Sequence, residues 1–257
     1  MRANELMDFP LAVFTFSLIA LLLSVQIGLF FRGRWRLKDG DRGDFDVILA
    51  AALTLLGLII GFSFSMALSR YDQRKNYEEE EANAIGTEHV RSDLLPAADA
   101  ARVSALLRTY LNQRILFYEA RDRRQLRQIN ADTSQVQAEL WHAVRGPSAA
   151  QPTALSALVL SGMNDVINSQ GYTQAAWWNR IPISAWGLMA AIAICCNLMI
   201  GYGARCTGWG ATLLIVMPLL VSISFLLIAD IDSPRGGLIR VNPQNLVSLS
   251  QSWLPAP

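Results

Sequence analysis

Residues 61–86 read GFSFSMALSRYDQRKNYEEEEANAIG and pass from an apolar run into a block of charge without a proline between them. No turn signal interrupts the change, so the stretch predicts a single helix that leaves hydrocarbon and continues into water. The question that it raises is why such a helix should carry four consecutive glutamates.

The composition around this stretch is that of a membrane protein. Hydrophobic residues make up 52% of the 257-residue chain and charged residues 17%, and charge is almost absent from four windows. Each window is close to the roughly 20 residues that a helix needs to cross about 30 Å of hydrocarbon. The sequence therefore predicts an all-α integral membrane protein with four spanning helices, at residues 10–31, 47–69, 183–205 and 209–229.

The segment between the second and third spans holds most of the charge, and its apolar residues recur at three- and four-residue spacing. That pattern predicts a bundle of amphipathic helices attached to the membrane. One helix is expected over residues 97–127, and a shorter one is expected to start at Asp132 or Thr133 and to end before Gly146-Pro147. Thr153 is expected to open a third helix.

The chain therefore divides into four segments. Pro234, Gly236, Gly237 and Pro243 predict that the last of them is extended. The expected division is 1–69 for the first two spans, 70–182 for the helical bundle, 183–229 for the last two spans and 230–257 for an extended C-terminal tail.

Several function classes are disfavoured by what the sequence contains. A net charge of +1 with no long basic face argues against nucleic-acid binding. His89 and His142 are the only histidines, and neither has metal-ligand spacing with a cysteine or another histidine. Since there is also no phosphate-binding glycine loop or nucleophile elbow, the sequence predicts no enzyme, no cofactor and no metal site.

Two segments of the chain resemble the bestrophin-like family of bacterial and plant membrane proteins. They are RYDQRKNYEEEEANAIGTEHVRSDLLP at residues 70–96 and DIDSPRGGLIRV at residues 230–241. A shorter pattern, Gly61-Phe62 followed by Ser69-Arg70-Tyr71, is distantly similar to the pore helix of the bestrophin ion channels. With the order of two spans, a helical insertion, two spans and a tail, the resemblance covers nearly the whole chain.

The resemblance to bestrophins implies a pentameric ion channel in which the second span of each subunit surrounds the axis. It also implies that the bundle and both termini are cytoplasmic, in a multi-pass protein of the cell membrane such as a bacterial inner membrane. Nearly equal numbers of Lys and Arg flank the spans on the two sides, so the positive-inside rule gives no orientation. The expected partners are the lipid bilayer, further copies of the chain and inorganic ions.

The second span carries one stripe of residues at helical spacing. An apolar neck of Leu58 and Phe62 with hydroxyl groups below it would form a constriction that gates by dewetting. Ordinary packing between membrane helices would produce a similar stripe. The residues of the stripe, which we predict to line the pore, are Thr54, Leu58, Phe62, Ser65 and Ser69.

The acidic residues that follow the second span have two interpretations. Arg74 and Lys75 precede Glu78 and Glu79 by four residues, a spacing typical of pairs on a solvated helix face. If the helix surrounds an axis, at least one of the glutamates should face it and form a ring that favours cations. We call the candidate residues the acidic vestibule: Asp72, Glu78, Glu79, Glu80 and Glu81.

The tail holds a further charged group, made up of Asp230, Asp232, Arg235 and Arg240. The two aspartates could bind a cation, or they could form salt bridges with the two arginines. Acidic residues at a membrane edge usually find a basic partner, so structural pairing is the favoured interpretation.

Two functional hypotheses follow. The first is an oligomeric ion channel, pentameric by resemblance, with its pore along the second span and a leaning to cations. The alternative is a four-span sensor or scaffold that does not conduct and whose bundle binds a ligand or a partner protein.

Overall fold

The computed structural model describes residues 9–34, 39–204 and 210–254, and within these ranges it contains helices and no strand. Eight α-helices follow one another within these described ranges. They are α1 (Pro10–Arg34), α2 (Arg42–Arg91), α3 (Ala97–Glu119), α4 (Arg123–Ala150), α5 (Ala154–Trp178), α6 (Ile183–Gly203), α7 (Gly210–Asp232) and α8 (Gln244–Ser252). Short 3-10 turns at Asp39–Asp41 and Ser92–Leu94 precede and follow α2.

Four helical stretches are long and apolar enough to cross a membrane, which confirms the predicted fold class of a multi-pass, all-α membrane protein. They lie in α1, α2, α6 and α7, within Pro10–Arg34, Arg42–Leu94, Ala154–Gly203 and Leu214–Asp232. Arg205 and Trp209, where two of the predicted windows end or begin, lie outside the described residues.

The chain forms two compact units. The first consists of Met1–Arg70 and Arg180–Arg240, and the second of Tyr71–Asn179 and Val241–Pro257. Helix α2 contributes its first part to one unit and its last part to the other, as one uninterrupted helix of 50 residues. The absence of proline from residues 42–91 is what allows this length, because a proline would remove a backbone donor and end or kink the helix.

In the first unit, α1 packs against α6 and α7. Gly28 of α1 and Gly201 of α6 lie where the backbones of the two helices come close together. A methyl group at Gly28 would collide with the backbone oxygen of Leu198, and one at Gly201 would collide with the backbone oxygen of Val25. The two glycines therefore permit a backbone approach that any larger residue would prevent.

In the second unit, α3, α4 and α5 surround an apolar core together with the last part of α2 and the tail helix α8. Leu107, Leu140 and Met163 are fully buried, which explains the three- and four-residue spacing of apolar residues along these helices. At one end of the core, the ring of Trp177 lies 5.0 Å from that of Phe117 and 5.4 Å from that of Tyr118.

The helix boundaries inside the bundle differ from those predicted at two places. The expected helix over residues 97–127 ends at Glu119, because Asp122 starts a new helix by accepting a hydrogen bond from the backbone N–H of Gln125 at 3.3 Å. No helix begins at Asp132 or Thr133, since the hydroxyl of Thr133 donates to the carbonyl of Ile129 inside α4, at 2.7 Å. The predicted start at Thr153 is confirmed by a reciprocal cap with Ser156.

Proline and glycine were expected to end the helix at Gly146-Pro147 and to keep the tail extended, and neither expectation is correct. Helix α4 continues through Gly146 and Pro147 to Ala150, although Pro147 has no backbone N–H to donate within the helix. The tail is not extended throughout, since residues 244–252 form α8 after Pro243. Leu246 of α8 is fully buried, so an apolar side chain holds this short helix against the bundle.

Candidate functional site

The stripe predicted to line a pore lies on the side of α2 that the described helices leave uncovered. Phe62 is 64% exposed and Leu58 is 53% exposed, and Thr54, Ser65 and Ser69 are exposed as well. The opposite side of the same helix segment is buried, at Leu56, Ser63 and Ala67. Packing among the helices that the structure describes in one chain therefore does not account for the stripe.

The exposed side of α2 continues beyond the span in the same helical register. At 3.6 residues per turn, Asp72, Asn76, Glu79 and Asn83 follow Ser69 on one face, and all four are exposed. One face of α2 thus changes from apolar to hydroxyl-bearing and then to acidic or amide-bearing along its length.

The four consecutive glutamates separate into two pairs. Glu79 and Glu80 are exposed, whereas Glu78 is 1% exposed and Glu81 is 0% exposed. The separation follows from the helical period. Successive residues differ in direction by about 100°, so Glu78 and Glu81 lie within about 60° of each other, and Glu79 and Glu80 point to the other side of the helix. Two of the proposed vestibule residues therefore face the interior of the bundle.

Glu81 is the centre of a buried network in the second unit. Its carboxylate accepts hydrogen bonds from Nε and Nη2 of Arg114, from the hydroxyl of Tyr118 at 3.3 Å and from that of Thr173 at 3.2 Å. Arg114 is itself fully buried and lies over the ring of Phe117 at 4.3 Å. Burial raises the pKa of Tyr118, and the charge of Glu81 adds to this, so the phenol stays a proton donor.

Glu78 holds the tail helix. Its carboxylate accepts the backbone N–H of Leu246 at 3.0 Å and the side-chain amide of Asn245 at 2.6 Å. Both donors lie in the first turn of α8, where backbone N–H groups lack partners within the helix and attract negative charge. Burial raises the pKa of Glu78, although the hydrogen bonds from Leu246 and Asn245 oppose the shift.

Arg74 lies one turn before Glu78 and is also buried. Its guanidinium donates to the carbonyl oxygens of Ala176 at 3.3 Å and Asn179 at 3.4 Å, at the end of α5. These carbonyls belong to the last turn of the helix, where acceptors are left over and positive charge is favoured. One face of α2 thus provides a hydrogen-bond acceptor for the start of α8 and a hydrogen-bond donor for the end of α5.

Charged residues in the last turn of α7 and just after it organise the turn that follows the helix. Asp230 accepts the backbone N–H groups of Leu238 at 2.7 Å and Ile239 at 2.9 Å. Nε of Arg240 donates to the carbonyl of Gly237 at 2.7 Å, and Arg235 lies within the turn. A methyl group at Gly237 would collide with the backbone oxygen of Asp230, so this glycine allows the turn to close.

Asp232 contacts a different part of the first unit, at the residues just before α6 and in α2. Its carboxylate accepts the backbone N–H of Ile181 at 3.2 Å, and one of its oxygens lies 4.0 Å from Nη1 of Arg70. Both aspartates of the DIDSPRGGLIRV segment therefore hold backbone N–H groups that would otherwise lack partners. Among the residues that the structure describes, no group of three or more His, Cys, Asp or Glu side chains could hold a metal ion.

Sequence reasoning did not find Arg114 or the buried face of α2. A signal was present, because Arg74, Glu78, Glu81 and Glu88 share the three- and four-residue spacing of Ile85, which is fully buried. A polar stripe in register with an apolar core position indicates buried pairing, and it could have separated the interior glutamates from the exposed ones.

Comparison with known proteins gives one family and one fold. The family model described as Bestrophin-like domain matches residues 14–246. No curated protein matches the sequence.

The fold resembles crystal structures of a bacterial bestrophin homologue from Klebsiella pneumoniae. One of them, a variant, has a TM-score of 0.65 at 12% identity, with 94% of this chain and 98% of that chain covered. Another, phased with zinc, has a TM-score of 0.62 at 12% identity, with 91% and 98% covered. At this identity the likeness concerns the fold.

Proposed function

The chain belongs to the bestrophin-like family, and from that premise we propose that it is an oligomeric ion channel, with five subunits around a pore lined by α2. The pore comprises the stripe from Thr54 to Ser69, with Leu58 and Phe62 as its neck. The bundle and both termini lie in the cytoplasm, and the protein resides in the cell membrane. Its partners are the lipid bilayer, four further copies of itself and inorganic ions.

The observation that carries the proposal is the uncovered face of α2. Large apolar side chains and hydroxyl groups share this face, and no described helix of the same chain packs on it. In a ring of subunits, the copies of this face would line a central pore. The pore would have a narrow apolar part and a wider polar part. Hydrophobic constrictions of this kind control ion passage by excluding water.

The acidic vestibule takes a narrower form than the sequence alone suggested. We assign the ring of negative charge to Asp72, Glu79 and Glu80, which are exposed. Glu78 and Glu81 lie on the buried side of the same helix and hold it in the bundle, because their carboxylates bind α8 and Arg114. A ring of exposed carboxylates attracts cations, so the proposed channel favours cations over anions. Asp230, Asp232, Arg235 and Arg240 are proposed to shape the tail rather than to bind ions.

The proposal is tested first by counting subunits. Single-particle imaging of the purified full chain should show five copies with the α2 helices around an axial path, and the same sample in liposomes should conduct ions. A monomer or a dimer whose α2 helices pack together without a path would overturn the channel, and would favour a scaffold whose bundle binds a partner.

A substitution in the neck gives the second test. Phe62→Ala should raise single-channel conductance, because removing the ring widens the constriction and lowers the cost of wetting it. Phe16→Ala is the matched control, since Phe16 is similarly exposed, at 61%, on α1. Equal currents in wild type and Phe62→Ala, with assembly intact, would contradict the assignment of the neck.

A further inference from the structure

Glu88, on the last turns of α2, is a buried carboxyl group that the proposed channel does not use. The residue is 0% exposed, and neither of its side-chain oxygens has a hydrogen-bond partner in the described part of the chain. It differs in this respect from Glu78 and Glu81, whose carboxylates on the same face each accept several hydrogen bonds. An ionised carboxylate in this position would be strongly unfavourable.

Helix α5 lies directly against this carboxyl group. A methyl group at Gly162 of α5 would collide with Oε2 of Glu88 and would lie 2.6 Å from Nη1 of Arg91. The absence of a side chain at Gly162 is therefore what allows α5 to cover Glu88. Since the cover consists of helix backbone, it offers no side-chain donor to an ionised carboxylate.

The charged groups around Glu88 come from both helices. Arg91 of α2 favours the ionised form, Asp165 of α5 opposes it, and Asp93 of the neighbouring 3-10 turn is exposed. Burial raises the pKa of Glu88 from its ordinary value of 4.5 to about 8, with Arg91 lowering it and Asp165 raising it further. The carboxyl group is thus protonated at neutral pH in the folded bundle.

We propose that Glu88 is a proton-binding site that makes the packing of α5 on α2 depend on pH. The neutral carboxyl fits under Gly162 without a partner. When the proton leaves, the carboxylate requires water or direct contact with the guanidinium of Arg91, and Gly162 of α5 lies against both groups. Loss of the proton therefore separates α5 from α2 at this point, independently of whether the protein conducts ions.

The pH dependence has a definite sign. A carboxyl group whose pKa is raised on folding binds its proton more tightly in the folded state than in the unfolded state. Its contribution to stability is complete below the unfolded pKa and is lost as the pH rises from about 4.5 to about 8. Stability should therefore fall with rising pH across this window and then level off.

Thermal unfolding of the full chain in mild detergent tests the proposal. The variants are Glu88→Gln, which keeps the shape and removes the titration, and Glu119→Gln, which changes an exposed glutamate of the same unit. Between about pH 5 and about pH 9 the unfolding midpoint of wild type should fall by several degrees relative to that of Glu88→Gln. Wild type and Glu119→Gln should remain parallel over the same range.

Hydrogen exchange locates the effect. In wild type, amides of residues 154–178 should exchange several-fold faster above pH 8 than below pH 6, after correction for the intrinsic pH dependence, and Glu88→Gln should abolish the difference. A constant difference between the wild-type and Glu88→Gln midpoints would overturn the proposal, as would identical protection of α5 at both pH values. Failure of Glu88→Gln to fold would also contradict it, because a neutral side chain of the same shape should be accepted.

Discussion

At the scale of single residues, the buried face of α2 shows what charged side chains can do inside a helical bundle. Glu81 and Arg114 are both fully buried, and their side chains form an ion pair. The desolvation of two ions is costly, and only close contact together with additional hydrogen bonds offsets it. The hydroxyl groups of Tyr118 and Thr173 supply those bonds.

This pairing predicts how single and double substitutions will differ. Arg114→Met should destabilise the bundle by about 3–5 kcal/mol, because it leaves the carboxylate of Glu81 buried without its counter-ion. Glu81→Leu combined with Arg114→Met should recover much of the loss. Denaturation of the full chain measures both effects, with Arg108→Met on the exposed side of α3 as the control. Equal losses in the single and double variants would show that the two residues do not act as a pair.

The pairing of Glu81 with Arg114 could not be predicted from the sequence, because the partners are far apart along the chain. Arg114 is 33 positions from Glu81, and Thr173 is 92 positions away. Arg74 and Glu78, at a spacing of four, look like a surface pair, and that local pattern is compatible with either face of a helix. Only the position of α3 and α5 against α2 decides which charged residues become interior ones.

At the scale of elements, spans are predictable and breaks inside the bundle are not. A run of about 20 apolar residues has one favourable state in a bilayer, so hydropathy alone located the four spans. The break between α3 and α4 depends on a single cap at Asp122, and Asp132, which is chemically equivalent, does not form one. Short polar side chains compete with one another as caps, and tertiary packing selects among them.

The crossing of α1 and α6 gives a prediction at this scale. Gly201→Ala should destabilise the first unit by about 1–3 kcal/mol, since the added methyl group would force the backbones of the two helices apart. Gly33→Ala in α1 should be neutral or slightly stabilising, because no described atom lies within 4 Å of an added methyl group there and alanine favours a helix. Unfolding midpoints of the two variants in detergent compare them directly, and equal midpoints would count against close packing at Gly201.

At the scale of the whole molecule, four spans with a helical insertion, recognised from order and hydropathy, match a fold that is retained at 12% identity. Patterns of apolar residues persist when individual residues change, so the order of the spans is visible in the sequence, whereas the family resemblance rests on the segments at residues 70–96 and 230–241. The uncovered face of α2 could be predicted as a stripe. The exposure of this face could not be predicted, because periodicity gives the direction in which a side chain points but does not tell which other helices pack against it.

The exposed glutamates lead to a prediction for the assembled protein. Glu79→Gln combined with Glu80→Gln should reduce the preference for cations over anions, measured as a shift of the reversal potential in a salt gradient, because it removes charge from the proposed ring. The effect should weaken as ionic strength rises. Glu119→Gln on α3 serves as the control. An unchanged reversal potential in the double variant would place the selective charge elsewhere.

The unbroken course of α2 also constrains how its length can vary. One inserted residue between Ser69 and Glu79 would rotate everything beyond it by about 100° and carry the exposed glutamates off the face that bears Phe62. Seven or eleven residues would complete two or three turns to within about 20° and preserve the alignment. Among natural relatives, insertions and deletions in this helix should therefore be seven or eleven residues long. Other lengths would be selected against because they would break the alignment of the exposed face of α2.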